Sequence, residues 1–177
     1  MGHADSCIVR WALAEYGDWK FHLAATDQGL CYVGSQGLPK EEMLSWINKA
    51  MPGCALIEDT AALEPYVAQF RAYLEGSARN FSVPLDSRGT DFQKSVWDAL
   101  MQIPYGHTVS YSDIASKIGR PAAVRAVGTA IGANPILITI PCHRVVGKRG
   151  ALTGYRGGLA MKTELLALER TAENAWR

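Results

Sequence analysis

The stretch SYSDIASKIGRPAAVRAVGTAIGA, residues 110–133, decides how the second half of the chain folds. Ser110 and Asp113 stand in capping-box spacing, where each side chain can serve the other's backbone N–H. They open a short helix whose apolar positions are Ile114, Ala115 and Ile118. Gly119 suits the residue just past its end, and Pro121 suits the first position of a following helix. Two short helices joined by Gly119-Arg120-Pro121 have helix-turn-helix spacing.

The second helix is unusual. Val124, Val127 and Ile131 form its apolar stripe, and nearly every other residue is small. Gly128 and Gly132 each cost about 1 kcal/mol relative to Ala inside a helix, so a close approach is expected. Arg125 is its one long polar side chain. A major-groove reader carries several. Either this smooth face lies in a narrow groove with Arg125 projecting, or the helix is packed inside the domain with Arg125 as a solvated exit.

Upstream, Thr90-x-x-Gln93 is a second capping box, followed by Phe92, Val96 and Leu100 at helical spacing. Pro104-Tyr105-Gly106 ends that helix, and residues 83–89 read as a linker. They divide the chain into an N-terminal α/β domain, 1–85, and a mainly α domain, 86–177. In the first, residues 7–14 and 19–26 form a hairpin around Tyr16-Gly17-Asp18, and residues 30–33 add a third strand. A helix after Pro39 buries Met43, Leu44, Trp46 and Ile47. A short strand at 55–57 and a helix at 61–75 complete this half. It shows no cluster of chemical groups, and His22 reads as a surface or packing residue.

Downstream, residues 136–140 read as a buried extended run that Pro141 ends, with Cys142-His143-Arg144 next. A cysteine after an apolar run is usually a small hydrophobe. Here a histidine follows at once. Glu169 lies on the apolar side of a closing helix over about 159–171 and needs a partner there. His143 would complete a Cys–His–Glu chain that can withdraw a thiol proton. Lys162 or Arg170 would make Glu169 an ordinary ion pair.

Hydrophobic residues are 48 % and charged residues 20 % of the 177, ordinary globular usage. No apolar run approaches the ~20 residues of a membrane span, and no secretory signal is visible. Net charge is −4 in residues 1–85 and +5 in 86–177, which makes the second half the candidate surface for a polyanion. Cys7, Cys31, Cys54 and Cys142 contain no C-x-x-C pair. Reduced thiols in the cytoplasm are therefore expected, and no metal site.

Ile140-Pro141-Cys142-His143-Arg144-Val145-Val146 resembles the active-site signature of the O6-alkylguanine-DNA alkyltransferases, the methylated-DNA–protein-cysteine methyltransferases. Further segments match in order: Gly89-Thr90-x-Phe92-Gln93-x-x-Val96-Trp97, Ile103-Pro104-Tyr105-Gly106, Val109-Ser110-Tyr111, residues 123–128, Asn134-Pro135, and Leu152-Thr153-Gly154-Tyr155-x-Gly157-Gly158. The pattern is most similar to stand-alone Ada-type members.

The resemblance implies a ribonuclease-H-like N-terminal sheet with helices and a winged helix-turn-helix C-terminal domain. It implies a monomer that binds double-stranded DNA in the minor groove, repairs alkylated guanine and O4-methylthymine, and needs no cofactor. Cys142 would be the alkyl acceptor, His143 the base acting through a water, and Glu169 the residue orienting it. Asn134 would tie the helix-turn-helix to the cysteine segment. Arg125 would be the finger replacing an extruded nucleotide, and Tyr111 would turn a phosphate and bond the purine. Ser110, Ala123, Ala126 and Gly128 would face DNA. Leu137, Val145, Thr153, Tyr155 and Arg156 would line the pocket. The carbonyls of Cys142 and Val145 would read the guanine amino group, and the residue-156 N–H would meet the oxygen at position 6. The Arg156 side chain should make the rim more basic. A Cys-His-Glu hydrolase and a pure DNA-binding protein are the other classes. The first leaves the Arg125 helix unexplained, and the second leaves Cys142 unexplained.

Overall fold

A computed structural model describes residues 6–175; the lead residues 1–5, including His3, lie outside it. The hairpin forms as β1 (Ile8–Tyr16) and β2 (Trp19–Thr26), and β3 (Gly29–Val33) follows. Helix α1 (Lys40–Ala50) crosses to β4 (Ala55–Glu58), which pairs parallel to β1, so the sheet order is β3-β2-β1-β4. One face packs Val9, Ala24 and Tyr32 against Met43 and Ile47 of α1. The other packs Ala12, Ala14, Phe21 and Leu23 against α2 (Thr60–Leu74) through Leu63, Val67, Phe70 and Tyr73. This is the period-two pattern of a strand buried on both faces.

The parallel β1–β4 pairing brings Cys7 beside Cys54, and the two form a disulfide. The expectation of four reduced thiols is therefore corrected. The 47-residue separation gave no warning, because a crossover helix makes the neighbourhood. Cys31 and Cys142 are free and buried.

Residues 83–89 are docked rather than loose. Leu85 bridges Leu30, and Asp86 donates its N–H to the Leu30 carbonyl at 2.8 Å. Gly29 is required there: its φ is +141°, and a Cβ would stand 2.4 Å from the Pro84 carbonyl oxygen. One apolar core runs from the sheet through Val96, Trp97, Leu100, Val127 and Ile136.

Both predicted capping boxes are present, at α3 (Asp91–Leu100) and α4 (Tyr111–Lys117). Helix α5 (Val124–Gly132) begins three residues after Pro121, not at it. Ala123 N–H closes a turn on the Arg120 carbonyl instead. Val109–Ser110 forms β5, paired parallel with β6 (Val145–Val146), and α6 (Leu159–Ala175) closes the chain. Thus the start of α4 is fastened directly to the residues that follow Cys142. Among the described residues no helix is long and apolar enough to cross a membrane.

Candidate active site

The segment before Cys142 is a buried turn, not the extended run expected. Ile140 N–H donates to the Ile136 carbonyl at 3.1 Å, and Ile138 takes a φ of +68°. That conformation strains a β-branched residue. Asn134, fully buried, holds the turn closed at both ends. Its Oδ1 accepts from Ile136 N–H (3.0 Å), and its Nδ2 donates to the Ile140 carbonyl (3.0 Å). A buried turn and a buried strand share the same apolar composition, which is why the run misled.

The Asn134 Nδ2 also donates to Cys142 Sγ at 3.2 Å. Cys142 begins a short 3-10 turn through Arg144 and is 3 % exposed. Burial pushes its thiol above the ordinary value, and the Asn134 amide and the Arg156 and Lys162 cations oppose that shift.

His143 is fully buried, and its Nε2 meets Glu169 Oε2 at 2.6 Å. With Nε2–H donating to the carboxylate, Nδ1 becomes the proton acceptor, and it has no hydrogen-bond partner among the described residues. Burial holds the imidazole pKa below its usual value, against the pull of Glu169, so the neutral, basic form prevails at neutral pH.

Glu169 is a hub. Arg144 meets it with Nε to Oε1 (2.8 Å) and Nη2 to Oε2 (3.0 Å). Gly106 N–H donates to Oε1 (3.2 Å), and the Tyr73 hydroxyl, from α2 in the other half of the chain, donates to Oε2 (2.5 Å). Burial would raise this carboxyl, but the His143 and Arg144 bonds and charges hold it well below the usual carboxylate range. Neither Lys162 nor Arg170 is its partner. Lys162 is fully buried and spends its ammonium on the carbonyls of Val145 (2.7 Å) and Thr153 (2.9 Å).

The sequence reading missed Arg144, Tyr73 and the task of Lys162. Arg144 stood within the matched signature. Tyr73 looked like core because it sits on an apolar stripe. Lys162 gave no signal, since its acceptors are main-chain atoms.

Around this centre, the Thr153 hydroxyl donates to the Tyr111 phenol oxygen at 3.0 Å. Leu137 and Val145 are both buried and belong to the same core. The Tyr155 hydroxyl is buried with no partner among the described residues. Gly157 leaves room for its neighbours: a Cβ there would stand 2.8 Å from the Tyr155 ring and 3.2 Å from Leu137. The Arg156 side chain does not add charge to a rim. It turns into the seam between the halves, where Nη2 donates to the Val33 carbonyl at 2.6 Å.

Ser110 caps α4, accepting from Asp113 N–H at 3.1 Å. On α5, Arg125 and Ala126 are exposed, while Ala123 and Gly128 are half-buried. Ala123, Arg125 and Ala126, together with Thr90, Phe92 and Gln93, border an open groove of about 670 Å³. A Cβ at Gly128 would make only ordinary contact with Tyr111, and one at Gly132 would meet nothing within 4 Å. Internal packing therefore does not require these glycines, and Ala126 and Thr129 are exposed on α5 beside Arg125. Among the described residues no group of three or more His, Cys, Asp or Glu could hold a metal ion.

The family described as 6-O-methylguanine DNA methyltransferase matches twice, with its ribonuclease-like domain over residues 9–87 and its DNA-binding domain over 91–171. The inducible methylated-DNA–protein-cysteine methyltransferase of Bacillus subtilis is 58 % identical over 164 residues, covering 93 % of this chain and 92 % of that one. This chain belongs to the methylated-DNA–protein-cysteine methyltransferase family. Its structural relatives agree. The Mycobacterium tuberculosis O6-methylguanine methyltransferase is 40 % identical with a TM-score of 0.77, over 93 % of this chain and 94 % of that one. A structure of the M. tuberculosis protein in complex with DNA gives 0.79 at 40 % identity, over 92 % and 94 %. The ribonuclease-like sheet and the helical DNA-binding half are thus the fold of the family.

Proposed function

We propose that this chain repairs DNA by transferring the alkyl group of O6-alkylguanine, and of O4-methylthymine, irreversibly to Cys142. It acts as a monomer on double-stranded DNA in the cytoplasm. The observation that carries the reading is the pair of contacts around one buried thiol. Asn134 donates to Sγ, and the adjoining His143 is fixed by Glu169 with Nδ1 left to accept a proton.

An alkyl group on a base oxygen lies inside the duplex stack, so the nucleotide must be extruded. The smooth face of α5, with Ala123, Ala126 and Gly128, enters the minor groove, and Arg125 fills the vacated stack. Ser110 and Tyr111 bear on the neighbouring phosphate. In the pocket, Leu137, Tyr155 and Thr153 enclose the base. The carbonyls of Cys142 and Val145 accept from its amino group, and the residue-156 N–H donates to the oxygen.

His143 takes the thiol proton through a water, and Glu169 stabilises the resulting imidazolium. Sγ attacks the alkyl carbon, an S–C bond forms, and the C–O bond breaks. The electron pair leaves with the guanine, which Tyr111 and the residue-156 N–H stabilise by hydrogen bonding. The product is a thioether. Unlike a thioester it has no carbonyl for water to attack, so each chain reacts once.

Incubating the protein with duplex DNA containing O6-methylguanine and weighing it intact tests this. One methyl per chain is expected, on the peptide holding Cys142, however much substrate is supplied. Cys142→Ser should gain none and still bind DNA. Repeated turnover, or methyl on another cysteine, would overturn the reading.

A further inference from the structure

The chemistry above uses only the main chain of residue 156, yet the Arg156 side chain makes several contacts in the seam. Its Nε donates to the Asn134 carbonyl (2.9 Å), and its Nη2 to the carbonyls of Val33 (2.6 Å) and Pro135 (3.2 Å). Its Nη1 donates to the Tyr32 hydroxyl (3.2 Å) and lies 3.6 Å from Glu42 Oε1. The guanidinium sits 5.1 Å from the centre of the Tyr32 ring. Glu42 is itself fixed, accepting from the Tyr32 hydroxyl (2.7 Å) and Ser35 N–H (2.9 Å). The main chain is gripped as well, since Ser35 Oγ donates to the Arg156 carbonyl at 3.4 Å.

Asn134 carries the connection onward. Its carbonyl receives Arg156, while its side-chain amide reaches Cys142 Sγ. Glu42 on α1 is therefore two residues removed from the asparagine–thiol contact, although α1 belongs to the other half of the chain.

We propose that Arg156 is a positioning residue for alkyl transfer, through which the N-terminal half holds Asn134 against Cys142 and sets the main chain of residue 156 at the pocket. The inference rests on Cys142 being the acceptor. A guanidinium suits this task because its planar fork presents five donors in fixed directions. The acceptors here are three main-chain carbonyls and a phenol, spread over two segments. A lysine ammonium is a single point and cannot span them. The guanidinium is also one of the cations that favour the Cys142 thiolate against burial.

The test uses the full chain and the free base O6-methylguanine, which removes DNA docking from the measurement. Methyl gain on Cys142 is followed by intact mass across neutral to alkaline pH, beside thermal melting. Arg156→Ala should slow transfer by about tenfold or more, the scale of a small misplacement at a reacting group, and move the pH profile upward. Arg156→Lys should restore the profile but not the rate. Glu42→Gln should slow transfer by a smaller factor, and adding it to Arg156→Ala should cost nothing further. Unchanged rates and profiles in Glu42→Gln, or in a folded Arg156→Ala, overturn the proposal. If Arg156→Ala does not fold, unchanged rates in Glu42→Gln and Arg156→Lys do so. A wild-type chain that gains no methyl while Cys142 stays free overturns the acceptor reading first, and this inference with it.

Discussion

Thr153 and Tyr111 are 42 positions apart in the chain, and their hydroxyl groups meet at 3.0 Å. The contact closes the loop after the cysteine segment onto the first residue of α4. Thr153 is β-branched and therefore stiff at χ1. We expect this rim to admit methyl more readily than bulkier groups. Wild type should react faster with methylguanine than with benzylguanine in the same duplex, and Thr153→Gly should narrow the difference. A benzyl rate at or above the methyl rate would sink the idea.

Acid should erode the protein's stability over two pH ranges. Burial lowers the His143 pKa below 6.5, so the unfolded chain takes up a proton that the folded one refuses. Stability held above pH 6.5 is therefore lost as pH falls through that value. The Glu169 carboxyl is also depressed, from 4.5, so its contribution stands above pH 4.5 and fades as pH falls further. In Glu169→Gln the second loss should shrink, while the depressed Glu42 and Asp113 carboxyls keep part of it. Denaturant midpoints measured from neutral to acid pH will show whether it does.

Arg125 is exposed on α5 and bonds no substrate group in the pocket scheme above. Arg125→Ala should slow repair of duplex DNA by about tenfold or more, a fraction of the few kcal/mol that extruding a base costs. Reaction with the free base should hardly change. Comparable losses on both substrates would make Arg125 a structural residue.

The Cys7–Cys54 disulfide closes a loop of 47 positions far from Cys142 in the chain. Chain-entropy reasoning gives it about 4 kcal/mol at most, and native-state effects usually trim such figures. Cys7→Ser with Cys54→Ser should lower the melting temperature and leave methyl transfer intact. A loss of transfer in a folded double variant would show that the clip reaches the chemistry.

What could be read from the sequence was local. Capping boxes at Thr90 and Ser110 need only three residues of spacing, and both are present. The hairpin and the two N-terminal helices followed from periodicity. Relations carried by the tertiary fold were hidden. Glu169 had three conceivable partners on its own evidence, and only packing of α6 against the cysteine turn selects His143 and Arg144. Tyr73 reaches the same carboxylate from the other half of the chain, across 96 positions. Arg156 looked like a rim residue because Thr153 and Tyr155 beside it were read as pocket lining, but its long stem carries the charge into the seam.

The burial of Cys142 has a consequence for economy of use. A protein consumed by a single reaction is wasted by every stray electrophile or oxidant that finds its sulfur. At 3 % exposure, and with burial raising its pKa, the thiol offers such reagents little access and little thiolate. Concealment thus acts as a gatekeeper. On the proposed function, the sulfur is reserved for an alkyl group that a recognised base delivers to it.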